Sequence, residues 1–267
     1  MGDDKFAELK ARQREMWSSF APTAILTTPV ASHLVDFAGV QPGQSVLDVA
    51  CGTGVVAITA ARVGAKVSGL DLTPALLEHA RENEKIADAG SIEWTEGDAE
   101  RLPYPDASFD VVVSQFGHMF APRPDVAIAE MRRVLKPGGT VAFATWPPEH
   151  FVGRFFALVG RHSPPAPEGA APPPLWGNVA AVTERLSSGF GPPFFARGTM
   201  LVPALSLSHF WQFMSASIGA LQKIVERLEN DSEQLNALRR EFMIVAEPYY
   251  DGNLVHQDYL LTRADAA

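Results

Sequence analysis

Apolar and polar positions change period several times along the chain, and each change marks an element. Runs with apolar side chains on consecutive positions fall at 45–50, 65–71, 91–96, 109–115 and 140–146, the pattern of strands covered on both faces. Phe109-Asp110-Val111-Val112-Val113 is the clearest. Stretches of helical period separate them. Val55 to Val63 is Ala-rich, and Ala75 to Ala89 follows Thr73-Pro74, an N-cap with proline at the first helical position, and sets Leu76, Leu77 and Ala80 on one face. A further helix begins near Pro124 and ends with Arg132, Arg133 and Lys136, cations at the carbonyl end, before Pro137-Gly138-Gly139 stops it. This alternation from Ser45 to Trp146, with later strands near 194–202 and 255–262, predicts an α/β fold. The expected architecture is a doubly wound, mostly parallel seven-stranded sheet.

After Trp146 the rhythm breaks. A helix-like piece at 151–161 leads into Ser163 to Pro174, whose six prolines forbid regular helix and predict a surface loop or lid. Helical segments recur at 178–188, 206–229 and 231–246. Between Ser206 and Arg227, Phe210, Trp211, Phe213, Met214 and Ile218 give an apolar face that suits either the lid or a second subunit, so a homodimer stays open. The expected organisation is an N-terminal helical cap (1–39), a ligand-binding core (40–146), and a substrate lid, helical insertion and closing strands of the same domain (147–267).

Composition narrows the function. A chain of 267 residues supports one large domain. A net charge of −9 and no basic run longer than Arg132-Arg133 argue against a nucleic-acid partner. No apolar run approaches the roughly 20 residues of a membrane helix, and the charged segment Met1 to Arg14 lacks the apolar centre of a signal peptide. A cytoplasmic protein without a membrane partner is the expectation. The single cysteine, Cys51, excludes an internal disulfide and a cysteine-cluster metal site. No His/Asp cluster has ligand spacing, so no metal is expected.

The chemistry concentrates at Val46-Leu47-Asp48-Val49-Ala50-Cys51-Gly52-Thr53-Gly54, an apolar strand meeting a Gly-rich turn at a helix N-terminus. The glycines alone fit a dinucleotide or another nucleotide-like cofactor, so a nicotinamide-dependent oxidoreductase is one alternative. Asp48 separates them: a carboxylate there repels a pyrophosphate but suits a ligand carrying an ammonium and a sulfonium, the charge pattern of S-adenosyl-L-methionine. The same carboxylate can also cap turn amides. Seventeen residues past Gly54, Asp71 ends the second strand, placed to hold two ribose hydroxyls or to act as an acid beside the next helix N-terminus.

Five motifs in order carry a resemblance: the Val46 to Gly54 run, Gly69-Leu70-Asp71, Glu96-Gly97-Asp98-Ala99-Glu100, Phe109 to Ser114, and Val134-Leu135-Lys136-Pro137-Gly138-Gly139. Over residues 40–146 the chain resembles the class I S-adenosylmethionine-dependent methyltransferases, in the small-molecule group that includes ubiquinone and menaquinone biosynthesis enzymes. It departs from the common three-glycine turn by having Ala50 at the first position. The resemblance implies a Rossmann-like methyltransferase fold. It also implies that Ala50, Gly52 and Gly54 line the methionine portion, that Asp71 holds the ribose and that Leu72 packs on adenine. Asp98 and the Ala99 backbone would then read the adenine edge, and Ser114 and Gln115 would approach the methyl group. Asp98 equally suits an Asx turn. As in similar enzymes, the segment Met16 to Thr28 is expected to fold over the cofactor.

Transfer from a sulfonium needs mainly proximity and a dry site. Where the acceptor must lose a proton, His118, four residues past Ser114, is the candidate base, with His150 as the second. Trp17, Phe116, Phe120, Trp146 and Trp176 are candidate walls of an apolar pocket. The expected activity is methyl transfer to a small, partly apolar molecule, at oxygen in preference to nitrogen or carbon. A non-catalytic S-adenosylmethionine-binding protein is the other alternative.

Overall fold

Buried strands form where consecutive apolar residues leave neither face suited to water. A computed structural model describes residues 5–267, so Met1 to Asp4 of the expected cap lie outside the described residues. The strands are β1 (Ser45–Val49), β2 (Lys66–Asp71), β3 (Glu93–Glu96), β4 (Phe109–Gln115), β5 (Leu135–Thr145), β6 (Phe194–Pro203), β7 (Tyr250–Asp251) and β8 (Leu254–Asp265). Seven of them form one sheet in the order β3-β2-β1-β4-β5-β8-β6, and the two-residue β7 pairs with β8. The first five are parallel; β8 runs antiparallel to β5, β6 and β7.

The helices are α1 (Ala7–Trp17), α2 (Ala21–Ala24), α3 (Thr28–Ala38), α4 (Val55–Arg62), α5 (Pro74–Ala87), α6 (Pro124–Val134), α7 (Phe151–Arg161), α8 (Val179–Leu186), α9 (Leu207–Ser217), α10 (Gly219–Arg227) and α11 (Ser232–Ala246). Helix α3 packs against α4, β4 and β5, and α6 against β5 and α8. Phe151 of α7, Phe210 of α9 and Phe242 of α11 meet with ring centroids 5.4–6.3 Å apart, which ties the C-terminal helices into the core.

Three elements differ from the sequence expectation. Strand β5 starts at Leu135 rather than Thr140, with an irregularity opposite Phe109 and Val111 that absorbs the Pro-Gly-Gly step. Lys136 Nζ fixes that step by donating to Asp110 Oδ1 at 2.8 Å. The segment 206–229 is two helices, broken at Ile218, whose backbone is extended. Gly219 follows because a Cβ there would lie 2.7 Å from the Met16 carbonyl of the N-terminal helix, a packing constraint with no local signal. The proline-rich stretch ends in a 3-10 turn, Pro173–Gly177, that buries Trp176 and accepts a hydrogen bond from Thr145 Oγ1 at the Trp176 carbonyl.

Strand order reverses between β1 and β4, so the helices following them depart to opposite sides and leave a crevice at the strands' carboxyl ends. The register Val46↔Val111, Leu47↔Val112, Asp48↔Val113 sets the turn after β1 against the segment Ser114 to Gly117. The site is at this crevice.

Candidate functional site

The turn leaving β1 is held in an unusual backbone conformation. Ala50, Gly52 and Gly54 all have positive φ (55°, 55° and 82°), and across the crevice Phe116 does too, at 61°. Two non-glycine residues in the left-handed region, facing each other at strand ends, concentrate strain at one place. Gly117 accommodates it, since a Cβ there would lie 2.6 Å from the Ala50 methyl.

Gly52 and Gly54 do different work. A Cβ on Gly52 would meet nothing within 4 Å and would project into the cavity that the residue lines. A Cβ on Gly54 would lie 2.5 Å from the Trp94 ring and 3.2 Å from Ala80, and Gly54 is not part of the cavity lining. The same ring covers Gly69, and its Nε1 donates to Glu84 Oε2 at 2.7 Å. Gly54 therefore serves packing and the left-handed entry to α4, not the ligand expected from the resemblance.

Asp48, only 1% exposed, accepts from the Ala57 amide through Oδ2 at 3.0 Å, while Oδ1 has no partner among the described residues. Burial pushes its carboxyl well above the usual range; the Ala57 amide opposes the shift and the nearby Asp71 adds to it. One oxygen thus braces the first turn of α4 and the other is unspent at the cavity. Asp71 accepts from the Gly52 amide through Oδ2 and the Thr73 amide through Oδ1, both at 2.8 Å, tying the β1 turn to the start of α5. Burial raises it as well, against these backbone donors.

Asp98 forms the Asx turn, Oδ1 accepting from the Glu100 amide at 2.9 Å, and its Oδ2 accepts from Lys10 Nζ at 2.7 Å. Lys10 is buried on α1 and also donates to Glu100 Oε2 at 2.6 Å, which takes two further bonds from Arg123 Nε and Nη2. Lys10, Glu100 and Arg123 carried no expectation from the sequence; the Glu96 to Glu100 motif was the one signal that pointed toward them. Leu72, Asp98, Ala99 and Gln115 line the cavity with Asp48, Ala50, Gly52 and Asp71. Gln115 donates through Nε2 to the Thr27 carbonyl at 3.1 Å and leaves Oε1 buried without a partner.

Three expected residues fall elsewhere. Ser114 is buried outside the cavity: Oγ donates to the Val49 carbonyl at 2.6 Å and accepts from the His118 amide, so it joins β4 to β1. His118 is among the lining residues, but its ring is buried against Phe143 and Trp176, with centroids 4.7 and 4.6 Å away, and neither ring nitrogen has a partner among the described residues. Burial, with a smaller push from the Arg185 charge, lowers its pKa to about 3. It is no general base in this arrangement. His150 caps α7 outside the cavity, its Nε2 3.0 Å from Arg197 Nη1 and its Nδ1 3.5 Å from Asp258 Oδ2. Sequence spacing could not see that a three-residue 3-10 turn rotates the His118 ring away.

Beyond the β1 turn the cavity becomes aromatic. Phe116 and Trp146 stack with centroids 3.8 Å apart and planes 10° from parallel, and Trp17 meets Phe120 at 4.8 Å. Helices α7 and α9 add Phe155 and Met214, and β6 adds Met200. Trp176, expected among these walls, lies behind His118 instead. The charged lining groups, Lys10, Asp48, Asp71 and Asp98, all sit on the side of β1, β2 and β3. None of residues 163–174 lines the cavity, so the proline-rich stretch does not roof it. Helix α1, the segment around α2, and α7 and α9 do.

Residues 47–143 match the family described as Methyltransferase domain. An uncharacterised protein of Mycobacterium tuberculosis is 33% identical over 96% of this chain and 95% of its own length. A demethylmenaquinone methyltransferase of Tropheryma whipplei is 35% identical over 57% of this chain and 66% of its own. Among solved structures, a putative methyltransferase of Bacillus halodurans superposes with a TM-score of 0.60 at 20% identity, covering 88% of this chain and 97% of that one. No helix among the described residues is long and apolar enough to cross a membrane.

Proposed function

The chain belongs to the class I S-adenosylmethionine-dependent methyltransferases, and from that premise we propose that its acceptor is a small, mostly apolar molecule methylated at an oxygen. The residues around the crevice suit the cofactor. The unpartnered Asp48 Oδ1 offers a buried anion to an ammonium, and Gly52 leaves open the space that a side chain would fill. Asp71 retains a lone pair on each oxygen for ribose hydroxyls, and Leu72, Asp98 and Ala99 would border adenine. When bound, S-adenosyl-L-methionine supplies an electrophilic methyl group on a sulfonium.

The observation that carries the acceptor reading is the division of the cavity. Every charged lining group lies at the cofactor end, and the Phe116 and Trp146 stack, Phe155, Met200 and Met214 wall the other. An aliphatic amine arrives at neutral pH as a cation and loses its hydration against such a wall without compensation. His118 is buried against Phe143 and Trp176 and its basicity is lowered, so it is a poor proton acceptor, and no other described residue that lines the Phe116 and Trp146 wall is a base. An acidic hydroxyl, of phenol or enol type, needs none: it loses its proton to bulk water before it enters, and the sulfonium of the cofactor offsets the charge of the oxygen nucleophile. The protein's part is then to orient two partners and to exclude water. The division of labour follows: among the described residues, 5–39 roofs the cofactor end, 40–146 binds the cofactor and gives the Phe116 and Trp146 wall, and 147–267 completes the acceptor end.

Incubation with S-adenosyl-L-methionine and a set of aromatic hydroxyl compounds, aliphatic amines and sugar phosphates, read by mass spectrometry, tests this. Methyl transfer confined to the hydroxyl compounds is expected. Transfer only to amines or phosphates would overturn the reading.

A further inference from the structure

Among the described residues that line the cavity, Gln257 has a side-chain amide that the fold does not use. On β8, Val255, Gln257 and Tyr259 are buried on the same face, opposite Met200 and Val202 of β6. Tyr259 is satisfied, its hydroxyl 2.8 Å from His33 Nδ1. Gln257 is 6% exposed and lines the cavity, yet its amide has no hydrogen-bond partner among the described residues. The amide is not closed off from the cavity, so it is free to pair with what occupies it, whereas packing against β6 would be met as well by an apolar residue. The strand itself gains nothing from a glutamine here.

We propose that Gln257 is the polar anchor of the acceptor subsite, its amide pairing with one uncharged oxygen substituent of a flat, apolar ring system. The inference rests on the methyltransferase reading above and specifies its substrate class. A neutral amide offers both a donor and an acceptor, so it recognises a hydroxyl or carbonyl and has no preference for an ion. The stacked Phe116 and Trp146 rings supply a broad aromatic surface that Val152, Phe155 and Met214 extend; Gln115 has only its Oε1 to offer, because its Nε2 donates to the Thr27 carbonyl, whereas the Gln257 amide can both donate and accept. In that setting a single hydrogen bond fixes which edge of the ring system faces β8, and hence which edge faces the methyl donor. Gln257 is thus a positioning residue, set apart from the cofactor end.

The test is calorimetric titration of 2-naphthol and of naphthalene into the full-length protein saturated with S-adenosylhomocysteine. The wild type is expected to bind 2-naphthol about tenfold more tightly than naphthalene, the worth of one buried neutral hydrogen bond. Gln257→Met, nearly the same in length and shape, should bring that ratio to about one while leaving the affinity for S-adenosylhomocysteine unchanged, which also reports that the variant is folded. Equal binding of the two compounds by the wild type, or a ratio that survives Gln257→Met, overturns the anchor. Failure of the wild type to bind either compound while it still binds S-adenosylhomocysteine overturns the apolar-acceptor reading as well, and so separates the two failures.

Discussion

Lys10 of the N-terminal helix places Nζ 2.7 Å from Asp98 Oδ2, bridging 88 positions of sequence to fasten α1 over the cofactor end of the cavity. The same nitrogen contacts Glu100, whose carboxylate is almost wholly buried. Lys10→Met is expected to destabilise the protein by about 3 kcal/mol, because it strips the cation from the buried Glu100, which keeps Arg123, and from Asp98 Oδ2. Urea unfolding measures this. A loss below about 1 kcal/mol would mean that α1 is not fastened by this contact.

Asp48 gives two effects of opposite sign. Its folded-state pKa lies above the unfolded value, so the charge becomes a cost as pH rises from the ordinary carboxylate range through the raised folded value. Asp48→Asn removes that cost. The ligand-free variant should melt higher at neutral pH, by about 2–4 °C for each kcal/mol recovered. It should also lose most of the thermal shift that S-adenosylhomocysteine gives the wild type. A lower melting temperature with an unchanged shift would remove Asp48 from the ammonium site.

The two glycines of the β1 turn should separate binding from folding. Gly52→Ala adds a methyl to open cavity at φ +55°, costing about 1 kcal/mol of stability but at least tenfold in S-adenosylhomocysteine affinity. Gly54→Ala drives a methyl into Trp94 and should chiefly lower stability, by about 3 kcal/mol. Paired unfolding and calorimetric titrations read both, and equal losses of affinity per unit of stability would contradict the distinction.

Ser114→Ala should cost about 1–3 kcal/mol, since it leaves the buried Val49 carbonyl without its donor. The affinity for S-adenosylhomocysteine, measured by calorimetry well below the melting temperature, should change less than threefold. A tenfold loss in a folded variant would return Ser114 to the cofactor.

His118 sets part of the acid response. Its folded pKa of about 3 lies below the ordinary 6.5, so the unfolded chain takes up a proton that the folded chain refuses. Stability from the neutral ring is complete above pH 6.5 and is lost as pH falls from there toward 3. His118→Phe should flatten that part of the stability profile and keep methyl transfer within about threefold. A hundredfold loss of transfer in a stable variant would restore His118 as a base.

Much of the fold was legible in the sequence, because strand burial and helix amphipathicity write themselves as local periods: the five parallel strands, Thr73-Pro74 at the start of α5 and the closing strands all follow from spacing alone. What lines the cavity was legible where it follows from position near a strand end, as for Asp48 and Asp71. Ser114 and His118 share that position, but their side chains turn toward Val49 and toward Trp176, because a hydroxyl takes the nearest carbonyl and an imidazole fills an aromatic gap.

By itself, then, the sequence determined the sheet, the Gly-rich turn and the carboxylates that border the crevice, since these depend on period and on residue type within a few positions. Only the tertiary structure decided what covers that turn and what lines the aromatic end of the cavity. Lys10 reaches Asp98 from the far end of the chain, and Gln257 enters the cavity because β8 is inserted antiparallel between β5 and β6. Contacts between residues so distant in the chain are fixed by how layers pack, and packing leaves no period for a sequence to display.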